Sequence, residues 1–119
     1  MTNPDTPHRR HLHRYELTCP VEVFDLNSGA LLGSLVNIHE EGLLIVGTDA
    51  IAEDHVYQLV LRLPDTVKNI GEIRLGVDCL WVGDAQDATM RWSGCQIIDL
   101  SAEARDQIRQ LIEQVGRQS

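Results

Sequence analysis

Arg9, Arg10 and Arg14 are three of the nine arginines in a chain of 119 residues, and they fall within six consecutive positions. His8, His11 and His13, three of the five histidines, are threaded among them. Guanidinium forks pair bidentately with phosphate or with the O6/N7 edge of guanine, and their planes stack on bases. The formal net charge is −8, so residues 8–14 form a local cationic site on an acidic background. That balance suits reception of one small anion. It argues against a general coat for nucleic-acid polymers, which needs a broad cationic face. Two readings of the segment stand side by side: the arm of an anion site that the remaining fold completes, or an exposed basic tail paired loosely with the acidic body.

A second polar group, Asn37-Ile38-His39-Glu40-Glu41-Gly42, sits at the tip between two apolar runs. The Asn37 amide offers both a donor and an acceptor to a purine edge. Gly42 lets the backbone turn tightly or lets a ligand approach it closely. The same residues also make an ordinary hairpin turn, which Asn and Gly favour. Trp81 and Trp92 suit either the core or a base-stacking platform, with Trp81 the better placed of the two for stacking. His8, His11, His13 and His39 match no compact zinc-ligand spacing. Ser28, Ser34, Ser93 and Ser101 lie in no nucleophile-elbow setting, and no Gly-rich phosphate loop exists. The expectation is a binding protein, with no catalytic residues, metal or cofactor.

The elements that position these groups follow from periodicity. A hydrophobic fraction of 43% with 24% charged residues, over this length, suits one globular domain. Tyr15 to Asp25 alternates, with Leu17, Cys19, Val21 and Val23 on one face, and Pro20 marks an edge or a bulge. Asn27-Ser28-Gly29 reads as a hairpin turn. Further strands are expected over 30–38, 43–46, 56–63, 72–82 and 90–98. In the fifth, Ile73, Leu75, Val77, Cys79 and Trp81 share a face. Ser101 is a plausible N-cap, Ala104, Ile108, Leu111, Ile112 and Val115 recur at helical spacing, and Gly116 reads as a C′ residue. Six antiparallel strands and one amphipathic helix imply a small β-barrel with a helix packed on its side or end. Cys19, Cys79 and Cys95 are odd in number and form no CxxC. With no signal peptide or long apolar run, the expected setting is the reducing cytoplasm, without membrane insertion. Residues 1–7, polar and carrying two prolines, are expected to be flexible.

Taken together, Arg9-Arg10-x-x-x-Arg14 followed one hairpin later by Asn37-x-x-x-x-Gly42 resembles the bipartite signature of the PilZ domain family, RxxxR and then (D/N)xSxxG. The resemblance runs from His8 to about Gln114. It implies a six-stranded antiparallel β-barrel with a C-terminal α-helix over about 101–115, within one domain of residues 8–116 and a tail of 117–119. It also implies a non-enzymatic receptor for the bacterial second messenger cyclic di-GMP. Arg10 and Arg14 would grip phosphate and the Hoogsteen edge of guanine, with Arg9 the frequent extra arginine. Asn37 would read the other guanine edge, and Gly42 would leave room for it. His39 departs from the pattern by occupying the serine position, where it either fills the space of a base or donates a hydrogen bond. The expected scheme is an arm, residues 8–14, that orders over the ligand and changes affinity for an unidentified downstream protein. The alternative is a nucleotide-blind adaptor that docks through the helix face Ile108, Leu111, Ile112 and Val115.

Overall fold

The computed structural model describes residues 15–39, 41–47, 51–84 and 90–118. The basic arm and the N-terminal residues expected to be flexible lie outside the described residues. The strands are β1 (Tyr15–Leu17), β2 (Glu22–Asp25), β3 (Leu31–His39), β4 (Gly42–Gly47), β5 (Val56–Arg62), β6 (Ile73–Asp84), β7 (Arg91–Asp99) and β8 (Gly116–Gln118), with helix α1 (Ala102–Val115) before the last. The sheet runs β2-β5-β6-β7-β4-β3, and an additional β2–β3 pairing closes it into a six-stranded antiparallel barrel. Closure removes the open edges that a sheet of this size would otherwise present.

The single strand expected over 15–25 is broken in two. Pro20 cannot donate to a ladder, and the segment around it leaves the sheet between β1 and β2. As a result β1 lies outside the closed ring, pairing with the far end of β3 through Tyr15↔Ile38 and Glu16↔Asn37. Residues 117 and 118, expected in the tail, instead form β8 against β1. The hairpin turn is as expected: Gly29 has φ 77°, and its N–H donates to Asp25 O at 2.8 Å.

The barrel interior is filled by side chains from every strand of the ring, including Val23, Leu35, Ile38, Ile45, Leu59, Leu61, Ile73, Val77 and Cys79. Helix α1 starts at Ser101, whose hydroxyl accepts the Ala104 N–H at 3.0 Å. It buries Ala104, Ile108 and Leu111 in the same core, with Ile112 and Val115 packed against it. The helix face proposed for docking in the adaptor reading is therefore spent on the core. Gly116 ends the helix in extended, not left-handed, backbone, at φ −83° and ψ 140°. Its small size matters for a different reason: a Cβ there would meet Ile112 O at 2.7 Å. Two glutamines tie the helix to the β5–β6 connection. Gln107 Nε2 donates to Ile70 O at 2.8 Å, and Gln114 bonds both Lys68 N–H and Lys68 O.

Candidate functional site

Two bulges decide which residues face outward. Leu35 and Ile38 are both buried although three residues apart, which strict alternation forbids. A register shift between Leu35 and Asn37 re-phases β3, so Asn37 and His39 leave the core face. A second shift lies between Cys79 and Trp81 in β6. Cys79 is fully buried, whereas Leu80 and Trp81 are 51% and 47% exposed. Trp81 therefore does not share the face of Ile73, Leu75, Val77 and Cys79, as its sequence spacing had suggested. The Cys79 thiol donates to Trp81 O at 3.6 Å and helps hold this bulge. Burial pushes the Cys79 thiol's pKa up, which keeps it protonated as a donor.

With both strands re-phased, one cross-strand row joins Asn37 on β3, Leu44 on β4, Gly94 on β7 and Trp81 on β6. At strand spacing this row spans about 14 Å. Gly94 leaves the room in this row that the Trp81 indole takes. A Cβ at that position would stand 2.1 Å from Trp81 Nε1 and 2.3 Å from Cε2, so the indole occupies the space a side chain would take. Asn37, His39, Leu44, Trp81, Trp92 and Gly94 are among the residues that line a groove of about 420 Å³. None of the described residues lining it is Asp, Glu, Lys or Arg.

Gly42 pairs with His39 at the start of the β3–β4 turn. A Cβ on Gly42 would meet Cys95 O at 2.8 Å and the His39 ring at 3.1–3.2 Å. The immediate role of this glycine is to admit the imidazole and the neighbouring carbonyl. His39 Nδ1 accepts the Glu41 N–H at 3.1 Å, which fixes the ring at the turn. The fold thus brings Asn37, His39, Gly42 and Trp81 together on one side of the barrel. Arg9, Arg10 and Arg14 lie outside the described residues. Gly94 and Leu44 were not anticipated. A lone glycine in a strand marks a bulge or a close approach, and that signal at Gly94 was present in the sequence. Its partner was not, because the β6–β7 register cannot be read locally.

The family model described as the PilZ domain matches residues 8–114. The chain belongs to the PilZ family. No curated protein sequence matches it. Among solved structures, the PilZ domain of YcgR from Escherichia coli, determined with c-di-GMP, is similar with a TM-score of 0.67 at 11% identity, covering 88% of this chain and 89% of that one. The K. pneumonia MrkH–c-di-GMP complex matches with a TM-score of 0.69 at 16% identity, over 88% of this chain and 51% of that one. The Bacillus subtilis inhibitor of motility MotI/DgrA matches with a TM-score of 0.64 at 18% identity, over 89% and 49%. At these identities the likeness is one of fold. This PilZ chain spans about half the length of MotI and MrkH. No described helix is long and apolar enough to cross a membrane.

Proposed function

We propose that this PilZ domain is a non-enzymatic receptor for cyclic di-GMP, which lies along the Asn37–Leu44–Gly94–Trp81 row and is held there by the arginine-rich arm. The observation that carries this reading is the row itself: an amide suited to a purine edge at one end, an apolar floor, and a half-exposed indole seated against Gly94 at the other. Base–aromatic stacking contributes about 1–3 kcal/mol per base, and an amide reads a purine edge through paired hydrogen bonds. Family membership supports it, as do the YcgR and MrkH structures, whose ligand is c-di-GMP.

The electrostatics supply the missing half. A dianionic ligand needs cations, and the described lining contains no Lys or Arg. Arg14 immediately precedes Tyr15 in the sequence, and Tyr15 stands opposite Ile38, between the two polar residues of β3. Arg10 lies four residues further along the chain, within about 18 Å of Tyr15 even when fully extended. That reach exceeds the span of the row, so Arg9, Arg10 and Arg14 can all serve a ligand lying on it. Ordering the arm costs roughly 1–2 kcal/mol per residue, so several charge-assisted contacts must form together. An arm that orders only with ligand changes the surface offered to a downstream protein, and that change is the output.

Calorimetric titration with cyclic di-GMP tests the reading. Arg10→Ala or Arg14→Ala should weaken binding roughly tenfold or more, since each removes charge-assisted bonds of about 1.5–3 kcal/mol. Absence of binding at near-millimolar nucleotide would end it. The nucleotide-blind adaptor keeps one observation in its favour, the imidazole packed on Gly42 at the serine position. With the helix face buried, such an adaptor has Leu31, Val56, Leu80, Trp81 and Ile98 among the described exposed strand residues to dock through.

A further inference from the structure

Cys79 and Cys95 stand directly opposite one another on β6 and β7, both buried and both free thiols. The backbone hydrogen bonds decide how close they come. Cys79 N–H donates to His55 O at 2.9 Å, and Cys79 O accepts the Asp54 N–H at 2.8 Å, so both polar groups face away from β7. On the other strand, Ile97 N–H donates to Glu41 O at 2.8 Å, toward the β4 side. Cys95 lies two residues from Ile97 in an unbroken β4–β7 register and has the same orientation. The cysteines are therefore a non-hydrogen-bonded pair, in which Cα atoms lie about 4.5 Å apart and side chains approach most closely. That separation falls within the roughly 4.4–6.8 Å that a disulfide spans. The two thiols are already hydrogen-bonded to each other.

We propose that this pair is a redox site: a small peroxide oxidises Cys79 and Cys95 to a cross-strand disulfide, and the disulfide releases the bulge that carries Trp81. Cys95 is among the residues lining the groove, which gives a molecule the size of hydrogen peroxide its approach. In the first step the Cys79 sulfur attacks one peroxide oxygen and the O–O bond breaks. The leaving hydroxide takes up the Cys79 proton as water, and Cys79 becomes a sulfenic acid. The Cys95 sulfur then displaces that hydroxyl, which departs with the Cys95 proton as a second water, and the S–S bond forms. Two thiols and one peroxide thus give one disulfide and two waters. Burial pushes both thiols' pKa up, so the thiolate fraction is small and the reaction is slow at neutral pH. The link to Trp81 is the hydrogen bond from the Cys79 thiol to Trp81 O at 3.6 Å, which spans the bulge. A disulfide sulfur has no hydrogen to donate, so oxidation removes this tie and loosens the seat of the indole on Gly94.

The test uses hydrogen peroxide on the full chain and needs no nucleotide, so its outcome is independent of the cyclic di-GMP reading. The Cys19→Ser/Trp92→Phe variant keeps Cys79 and Cys95 as its only thiols and Trp81 as its only indole. Peptide mapping after peroxide treatment should find Cys79 joined to Cys95, with the mass of two hydrogens lost and both titratable thiols gone. Trp81 emission should move to longer wavelength in step with that loss, and dithiothreitol should restore both signals. In wild-type protein, mapping should again join Cys79 to Cys95 and leave Cys19 out of the bond. Oxygen added to Cys79 or Cys95 in place of a disulfide overturns the proposal. So do two thiols that stay reduced after Cys19 of the wild-type protein has been oxidised. A disulfide that forms with Trp81 emission unchanged overturns the link to the bulge. An equal emission shift when Cys95→Ala is added to the variant overturns it too, since no disulfide can then form.

Discussion

Replacing Gly94 by alanine should disable the aromatic end of the groove without touching any residue expected to contact ligand through hydrogen bonds. The added Cβ would sit 2.1 Å from Trp81 Nε1, 2.3 Å from Cε2 and 2.8 Å from Cζ2. Non-bonded heavy atoms settle near 3.5 Å, so the indole must rise by about 1.4 Å or swing off the sheet. Trp81 is 47% exposed, so solvent is available for it to move into and the fold need not be lost. A displaced ring forfeits stacking worth about 1–3 kcal/mol, which corresponds to roughly 5–150-fold in Kd. Calorimetry of wild type, Gly94→Ala, Trp81→Ala and the double variant measures this directly. If Gly94 acts only by seating the indole, the alanine substitution should cost almost nothing once Trp81 is gone. Two results would refute the reasoning: Gly94→Ala binding within twofold of wild type, or its full loss persisting in the Trp81→Ala background.

Three further outcomes follow from the geometry. Ser101→Ala removes the hydroxyl that accepts the Ala104 N–H, and should cost about 1 kcal/mol, seen as a drop of a few degrees in Tm. Burial pushes the Cys95 thiol's pKa up to about 12, above its ordinary 9.0. The folded state then holds this proton longer than the unfolded chain, so its stabilising contribution is whole below pH 9 and is lost as pH rises toward 12. Denaturant titrations should show wild type losing stability over that window faster than Cys95→Ala, by up to about 1.4 kcal/mol per pH unit. Finally, the salt dependence of cyclic di-GMP affinity should flatten in the Arg10→Ala/Arg14→Ala double variant, because the phosphate contacts that salt screens are gone. An unchanged slope would mean the arm does not serve the ligand.

What the sequence by itself determined was set by short-range chemistry. The Asn27-Ser28-Gly29 turn, the Ser101 cap and the helical spacing of Ala104, Ile108 and Leu111 depend on residues within one turn of each other, and each formed as the local pattern implied. Pro20 was legible as an interruption, though its consequence was not: whether the broken strand stays in the ring depends on what lies beside it. The order of the arginine and Asn37–Gly42 segments sufficed to identify the family. Only the tertiary structure decided the groove. Alternation assigns Trp81 to the core, and it takes a bulge, read against the register of β7, to turn the indole out onto Gly94. Likewise Asn37 reaches the outer face through a shift in β3 that is defined only by its pairing with β4. A bulge adds one residue to one strand and so exists only relative to a partner, which is why no window along the chain could reveal where these side chains would meet.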